Sequence, residues 1–284
     1  QDHIHRTTGV AIRGARDAID GGCINEAVRL RGDGRDFFVK FNTASKLDMF
    51  AAEAEGLREI AETKSVRVPE PVCWGVACDA AYVVLEYLCL GHAGKGAVLG
   101  EQLAAMHRVT RAEFGWSRDN TIGSTQQINT PDADWLRFWR ARRLGFQLEL
   151  AERNGWSGEL LQLGAELMER LEGLFDGYRP RPSLLHGDLW SGNYSYLADG
   201  TPVIFDPAVY FGDREADIAM TELFGGFGGD FYAAYRAAWP LDAGYAVRKT
   251  LYNLYHILNH ANLFGGSYGQ QALRMMQQLL GELR

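Results

Sequence analysis

The sequence predicts an α+β fold of two lobes, a strand-rich first part with one inserted helix and a mainly helical remainder. Three observations carry this. The 284 residues exceed one average domain of ~150. Short apolar runs separated by turn residues fill the stretch 1–90, and from 91 to 284 apolar residues recur mostly at helical spacing.

In chain order, Val10 to Ile19 reads as a short helix, and Ala27 to Arg31 and Phe37 to Phe41 read as strands. Gly32-Asp33-Gly34 joins those strands as a hairpin, because Asp-Gly supplies the positive φ that a tight connection demands. Phe50, Ala54, Leu57, Ile60 and Ala61 predict a helix from about Lys46 to Glu62, closed off by Pro69 and Pro71. Val72 to Val76 and Tyr82 to Leu88 are further strands, the second leading into the junction between lobes.

Beyond it, Leu99, Leu103, Met106 and His107 share one helix face, and Leu160, Leu163, Leu167, Leu171 and Leu174 share another. Ser183 to Leu197 and Val203 to Asp206 interrupt this pattern with short apolar stretches around a loop crowded with His, Asp, Trp, Ser, Gly and Asn. Trp116 to Ala133 is polar and turn-rich, a long loop suited to facing a substrate. Tyr252, Tyr255, Phe264 and Tyr268 fall mostly on core spacing near the C-terminus.

Composition narrows the class. With 46% hydrophobic and 23% charged residues, the chain is an ordinary globular one, not disordered or collagenous. A net charge of −7 and the lack of any basic block argue against a nucleic-acid partner or an anionic membrane surface. Cys23, Cys73, Cys78 and Cys89 show no C-x-x-C spacing, which points to reduced thiols and a cytoplasmic setting. The most apolar stretch, Ala80 to Leu90, is broken by Glu86 and is shorter than the ~20 residues of a membrane span. The numbered chain opens without a signal-peptide pattern, although a first residue of Gln leaves a trimmed leader open.

Chemistry concentrates in His186-Gly187-Asp188-Leu189-Trp190-Ser191-Gly192-Asn193 and in Phe205-Asp206-Pro207. Asp188, Asn193 and Asp206 are separated by five and then thirteen residues. Phosphoryl transfer asks for one carboxylate to orient and deprotonate an acceptor hydroxyl, and for oxygen ligands that hold Mg²⁺ against the triphosphate of ATP. Asp188 suits the first task, Asn193 and Asp206 the second; a helix-capping turn rich in Asp and Asn is the alternative. Upstream, Lys40 lies in an apolar strand where an unpaired ammonium would be costly. Its expected partner is Glu53, with Glu55 as the competitor, and the pair would anchor the α and β phosphates. Gly21, Gly22 and Cys23 could bring backbone N–H groups to phosphate oxygens, though a diglycine is also an ordinary turn. By order along the chain, backbone groups of Glu86 and Leu88 are placed to read the adenine edge.

This constellation resembles the aminoglycoside phosphotransferase and choline kinase branch of the protein-kinase-like fold. More narrowly it is similar to the fructosamine kinase (ketosamine-3-kinase) family, through Gly21 to Ile24, Asp119 to Gly123, Arg142 to Gly145, His186 to Asn193 and Asp206-Pro207-Ala208. Gly212 to Met220, Leu223 to Phe227 and Leu258-Asn259-His260 continue the likeness. The resemblance implies a five-stranded first lobe and ATP-dependent phosphorylation of the C3 hydroxyl of a ketosamine, the rearranged adduct of a sugar with a lysine amine. Phosphate beside the ketone then leaves by elimination, and water releases the free amine and a deoxy-dicarbonyl sugar, so the implied role is deglycation. Ribulosamine, erythrulosamine and fructosamine stay open as the sugar, and so does a free or protein-bound acceptor. Trp190, Asn120, Trp135 and Arg142 are substrate-side candidates on the same ground. Cys23 implies a thiol that could link a homodimer, as against a monomer. Rival readings are a kinase of aminoglycosides or other small alcohols and a catalytically silent binding module.

Two departures from the protein kinases matter. Gly187 stands where their catalytic loop has Arg, and only seven residues lead from Asp206 to Asp213, too few for a phosphorylated activation loop. Asp217 is expected to anchor the loop backbone, and His186 to orient the loop while Asp188 serves as base.

Overall fold

A computed structural model describes residues 1–19, 24–91 and 93–283. Gly21, Gly22 and Cys23 therefore lie outside the described residues.

A five-stranded antiparallel sheet in the order β1-β2-β3-β5-β4 forms the first part. Its strands are β1 (Ile12–Ile19), β2 (Glu26–Gly32), β3 (Phe37–Thr43), β4 (Pro71–Ala77) and β5 (Ala80–Glu86). Two helices pack on it, α1 (Asp2–Thr8) and α2 (Leu47–Glu62). The segment read as a helix at 10–19 is the edge strand β1, which corrects that expectation. Its Ala, Arg and Asp content looks helical, but Gly14 takes φ +96° at a bulge where the register to β2 shifts, a conformation outside any helix.

Alternation along β3 decides what each side chain meets. Phe37 and Val39 point to one face, into a small core with Ile4, Leu30, Cys73 and Val84. Phe38 lies on the other face, against the main core that includes Val83, Leu85 and the α2 residues Phe50, Ala54, Leu57 and Ile60. Lys40 shares the parity of Phe38 and pairs across the ladder with Val83, so it is delivered to α2.

Past β5, the two-residue strand β6 (Leu90–Gly91) already pairs with a strand of the second part, and α3 (Gly96–His107) follows. The stretch 116–133 folds inward as a hairpin of β7 (Asn120–Ile122) and β8 (Thr125–Gln127). Asn120, Thr125, Gln127 and Asn129 are buried, so this stretch is not the open, substrate-facing loop its polarity suggested. After it come α4 (Trp135–Trp139), a π-helical turn at Arg140–Leu144, α5 (Gly145–Arg153) and α6 (Glu159–Arg170).

Four short strands, β9 (Ser183–Leu185), β10 (Tyr194–Leu197), β11 (Pro202–Ile204) and β12 (Tyr210–Gly212), pair as β9 with β12 and β10 with β11. The chain ends in α7 (Glu215–Thr221), α8 (Gly229–Ala238), α9 (Tyr245–Phe264) and α10 (Tyr268–Glu282). Every residue of α7 is buried, and α9 carries Leu251, Tyr252, Leu254, Tyr255, Ile257 and Leu258 through the core. Phe264, at the end of α9, is 56% exposed and stands outside that core. No helix among the described residues is long and apolar enough to cross a membrane.

Candidate active site

The loop between β9 and β10 carries Asp188 and Asn193, and the turn after β11 carries Asp206. Pairing of β9 with β12 and of β10 with β11 brings the two segments side by side; Ala208 N–H donates to the His186 carbonyl at 2.8 Å and Phe205 N–H to the Asn193 carbonyl at 3.0 Å. Gly187 takes φ +81°, and a Cβ there would overlap the Ala208 carbonyl, so glycine is the residue this close approach permits. Asp206 itself sits at φ +58°, a left-handed conformation that Asp tolerates better than most residues.

Helix α2 closes the cleft from the sheet side. Gly56 lets it approach Val209 and Pro207 closely, with an added Cβ only 3.0 Å from Val209. Lys40 Nζ then donates to Glu53 Oε1 at 2.8 Å and forms an ion pair with Asp206. Burial alone would lower the Lys40 pKa, but the Asp206 and Glu53 charges overcome it and raise it, so the ammonium stays charged. Burial moves Glu53 the other way, upward, against the pull of Lys40. Glu55 is spoken for elsewhere, by Arg118 at 2.8 Å, and Glu59 by Arg111 at 2.7 Å, which tie α2 to the stretch before β7.

Asp188 is half-buried, and its pKa is pushed up to about 7 by burial first and the Asp206 charge second; the Asn193 amide works in the opposite direction. Asn193 donates its Nδ2 to the Asp188 carbonyl at 2.8 Å and to the Asp188 carboxylate at 3.2 Å. Its Oδ1 is thereby left as an acceptor, and the Asp206 carboxylate in the adjoining segment is 45% exposed. One carboxylate and one amide oxygen are a hard donor set of the kind Mg²⁺ accepts when phosphate oxygens and water complete its shell. Among the described residues no cluster of three or more His, Cys, Asp and Glu side chains offers a different metal site.

The loop is held from behind by α7. Asp217 accepts the His186 N–H at 2.7 Å and the Gly187 N–H at 2.8 Å, and His107 Nε2 lies 3.1 Å from it. Burial would raise the Asp217 pKa, yet the donors, His107 foremost, lower it overall. His186 Nδ1 accepts the Asp188 N–H at 3.2 Å and Nε2 donates to the Phe205 carbonyl at 2.9 Å, which assigns its tautomer from its partners. Burial lowers its pKa and keeps it neutral, so it bridges the two catalytic segments.

The remaining sequence candidates divide. Trp190 is 38% exposed beside Asp188, edge-on to Phe224 at 6.5 Å, on the open side of the loop. Asn120 is buried, donating to the Val209 carbonyl at 2.8 Å and accepting from Gln127 and Asn129. It braces the segment after Asp206 and does not face a cleft. Trp135 is only 4% exposed, among Phe138, Trp139 and Tyr252, with its indole N–H 3.3 Å from the Tyr252 hydroxyl; it is core, and its proposed substrate contact is corrected. Of Arg142 and Arg143, the second is the fully buried one, donating to the Ile128 carbonyl and to Asn129 Oδ1, both at 2.7 Å. Gln127 joins the same brace, donating to the Ala208 carbonyl at 3.1 Å and accepting from the Tyr255 hydroxyl. Gln127, Asn129 and Arg143 escaped sequence reasoning because a polar, turn-rich stretch looks solvated until its partners are known. Glu86 has its N–H on the Glu70 carbonyl at 2.8 Å and its carboxylate on Arg67, while Leu88 lies in the connector between β5 and β6.

Comparison with known proteins bears on this arrangement. Residues 1–282 match the family model described as fructosamine kinase. A probable ketoamine kinase of Synechocystis sp. is 46% identical over 98% of this chain and 94% of its own length. A chloroplastic protein-ribulosamine 3-kinase of Arabidopsis thaliana is 43% identical over 94% of this chain and 83% of its own. Among solved structures, a candidate fructosamine-3-kinase from Haemophilus somnus superposes with a TM-score of 0.90 at 28% identity, covering 98% of this chain and 96% of that one. An aminoglycoside phosphotransferase at 15% identity and a TM-score of 0.65, covering 99% of this chain and 98% of that one, shares the fold.

Proposed function

The chain belongs to the fructosamine kinase family, and we propose that it uses Mg-ATP to phosphorylate the C3 hydroxyl of a ketosamine, a sugar–lysine adduct. The observation that carries the chemistry is the ion pair of Lys40 with both Glu53 and Asp206, the latter close enough to the hydrogen-bonded Asp188 and Asn193 for its charge to raise the Asp188 pKa.

Each residue has a task in this reading. Lys40, oriented by Glu53, neutralises the α and β phosphates of the nucleotide. Asn193 Oδ1 and the Asp206 carboxylate hold Mg²⁺, which when bound supplies positive charge against the transferring phosphoryl group. Asp188 accepts the hydrogen bond of the acceptor hydroxyl and takes its proton as the new P–O bond forms and ADP leaves. A carboxylate whose pKa is pushed up to about 7 is a stronger base than an ordinary one and suited to neutral pH. Asp217, His107 and His186 touch no reacting atom; they position the loop. Trp190 and Phe224 form an aromatic edge beside the base, suited to the acceptor. The C3 phosphate sits next to the ketone, so enolisation toward C1 expels inorganic phosphate, and hydrolysis of the imine left at C1 by water releases the free amine and a deoxy-dicarbonyl sugar. The names of the relatives favour ketosamines over aminoglycosides, whose kinases share only the fold at this level of identity.

A reducing, cytoplasmic setting is part of the same proposal, with Cys73, Cys78 and Cys89 as free thiols. Cys23 remains a proposed redox link between two copies; a covalent dimer on a non-reducing gel after peroxide, with loss of activity, supports it, and an unchanged monomer removes it.

The test is ATP consumption with Mg²⁺ on ribuloselysine and fructoselysine, with kanamycin as control, followed by phosphorus NMR. A transient C3 phosphate decaying to inorganic phosphate is expected. Turnover on kanamycin alone would overturn the substrate assignment.

A further inference from the structure

Away from the Lys40–Asp188 cleft, a cavity of about 460 Å³ opens beside Ser183, at the start of β9. Its lining includes four arginines, Arg108, Arg179, Arg181 and Arg214, and one acidic residue, Asp213. In a chain of net charge −7, this is a local reversal of sign. The volume suits a small organic ligand.

The wall is electrostatically unfinished. Arg214 is only 7% exposed, yet the donors it engages go to neutral oxygens, the Tyr235 hydroxyl and the carbonyls of Trp239 and Pro240. Arg108 likewise donates to the Ala238 carbonyl, and Arg179 to the carbonyls of Phe175 and Tyr178. Asp213, next in sequence to Arg214, spends its carboxylate on the Tyr178 and Tyr252 hydroxyls at 2.9 and 2.5 Å and on the Glu215 N–H. A guanidinium buried without a counter-ion carries an uncompensated desolvation cost, and an anion in the cavity would offset it. Ser183 adds a second, independent sign: it is 1% exposed, and its Oγ has no hydrogen-bond partner among the described residues. Trp239 supplies a flat apolar wall, with Arg214 stacked 4.1 Å from its ring centre.

We propose that this cavity is a second ligand site, for a small molecule bearing a phosphate group. Guanidinium forks match the oxygens of phosphate, and several of them suit a dianion better than a single carboxylate. The site lies at the root of the catalytic loop. Ser183 precedes His186 by three residues, about 10 Å of strand, and Asp213-Arg214 run directly into α7, whose Asp217 holds that loop.

The experiment measures thermal stability of the full chain with inorganic phosphate and with glucose 6-phosphate, at ionic strength matched by sodium chloride. Both probes are expected to raise Tm saturably in the wild type and in Lys40→Ala. The Arg179→Glu/Arg181→Glu variant, altered at exposed side chains, should bind them at least tenfold more weakly while ATP still raises its Tm, showing that the fold and cleft are intact. Tighter binding of glucose 6-phosphate identifies an organic ester as the ligand, and equal binding identifies free phosphate. No saturable shift in the wild type overturns the site. So does a shift that survives in the double variant and disappears in Lys40→Ala, because the anion then occupies the nucleotide cleft.

Discussion

Asp188 and Asp217 serve the same loop from opposite sides, and their surroundings drive them apart. Asp217 is 1% exposed and receives two loop N–H groups and the His107 ring, so its pKa is lowered despite burial. Asp188 is less buried but has one side-chain donor among the described residues, Asn193, and faces the Asp206 charge, so its pKa is pushed up to about 7. Donor count, more than depth, separates the anchoring Asp217 from the proposed base Asp188. A carboxylate kept short of donors stores electrostatic strain, the common condition of a functional group in a folded chain.

The strongest break in this comparison is Asp188→Asn. Turnover on a ketosamine should fall by ~10² to 10⁴, the usual contribution of a general base, while ATP still raises Tm. Undiminished turnover would remove Asp188 from the role. Next is Asp217→Ala, which strands the His186 and Gly187 N–H groups in the interior. It should cost about 2–5 kcal/mol, at ~1–3 kcal/mol for each buried donor left unsatisfied, read as a lowered urea midpoint. A loss below about 1 kcal/mol would mean that the loop finds other anchors.

The third prediction concerns pH. Because the Asp188 pKa is higher folded than unfolded, the native state holds its proton more tightly between about pH 4 and 7 and loses that advantage as pH rises through 7. Ligand-free Asp188→Asn should therefore be more stable than wild type at pH 8, by on the order of 2 kcal/mol, with the gain shrinking toward pH 5. A gain independent of pH would point to packing. Smallest is the contrast of neighbouring glutamates on α2. Glu53→Gln should raise the KM for ATP about tenfold by releasing Lys40, a loss of ~1.4 kcal/mol. Glu55→Gln, at a partly exposed pair with Arg118, should cost under ~1 kcal/mol of stability and leave kinetics alone.

Much of the candidate site was legible because its spacing is local. His186 to Asn193 forms one tight loop, and the parity of β3 with the periodicity of α2 aims Lys40 at Glu53, as the 2.8 Å contact shows. The choice between Glu53 and Glu55 was the limit of that reasoning, since both lie on one helix and only packing against Arg118 distinguishes them. The edge strand β1 was missed because residues 12–19 have helix-like composition, and their state comes from pairing with β2. Trp135 was misjudged for a related reason: an aromatic looks the same in sequence whether it meets a ligand or a core.

The sequence by itself determined the α+β plan, the family and the spacing of Lys40, Glu53, Asp188, Asn193 and Asp206, because periodicity and short motifs are properties of neighbouring residues. Tertiary structure decided that Asp217 collects two loop N–H groups and the His107 ring while Asp188 is met by the Asn193 amide and the Asp206 charge, that Asn120, Gln127, Asn129 and Arg143 brace the segment after Asp206, and that Arg214 lines a cavity with no carboxylate partner among the described residues. The physical reason is that a buried polar group takes its charge state and its role from the partners that meet it, and those partners come from distant parts of the chain.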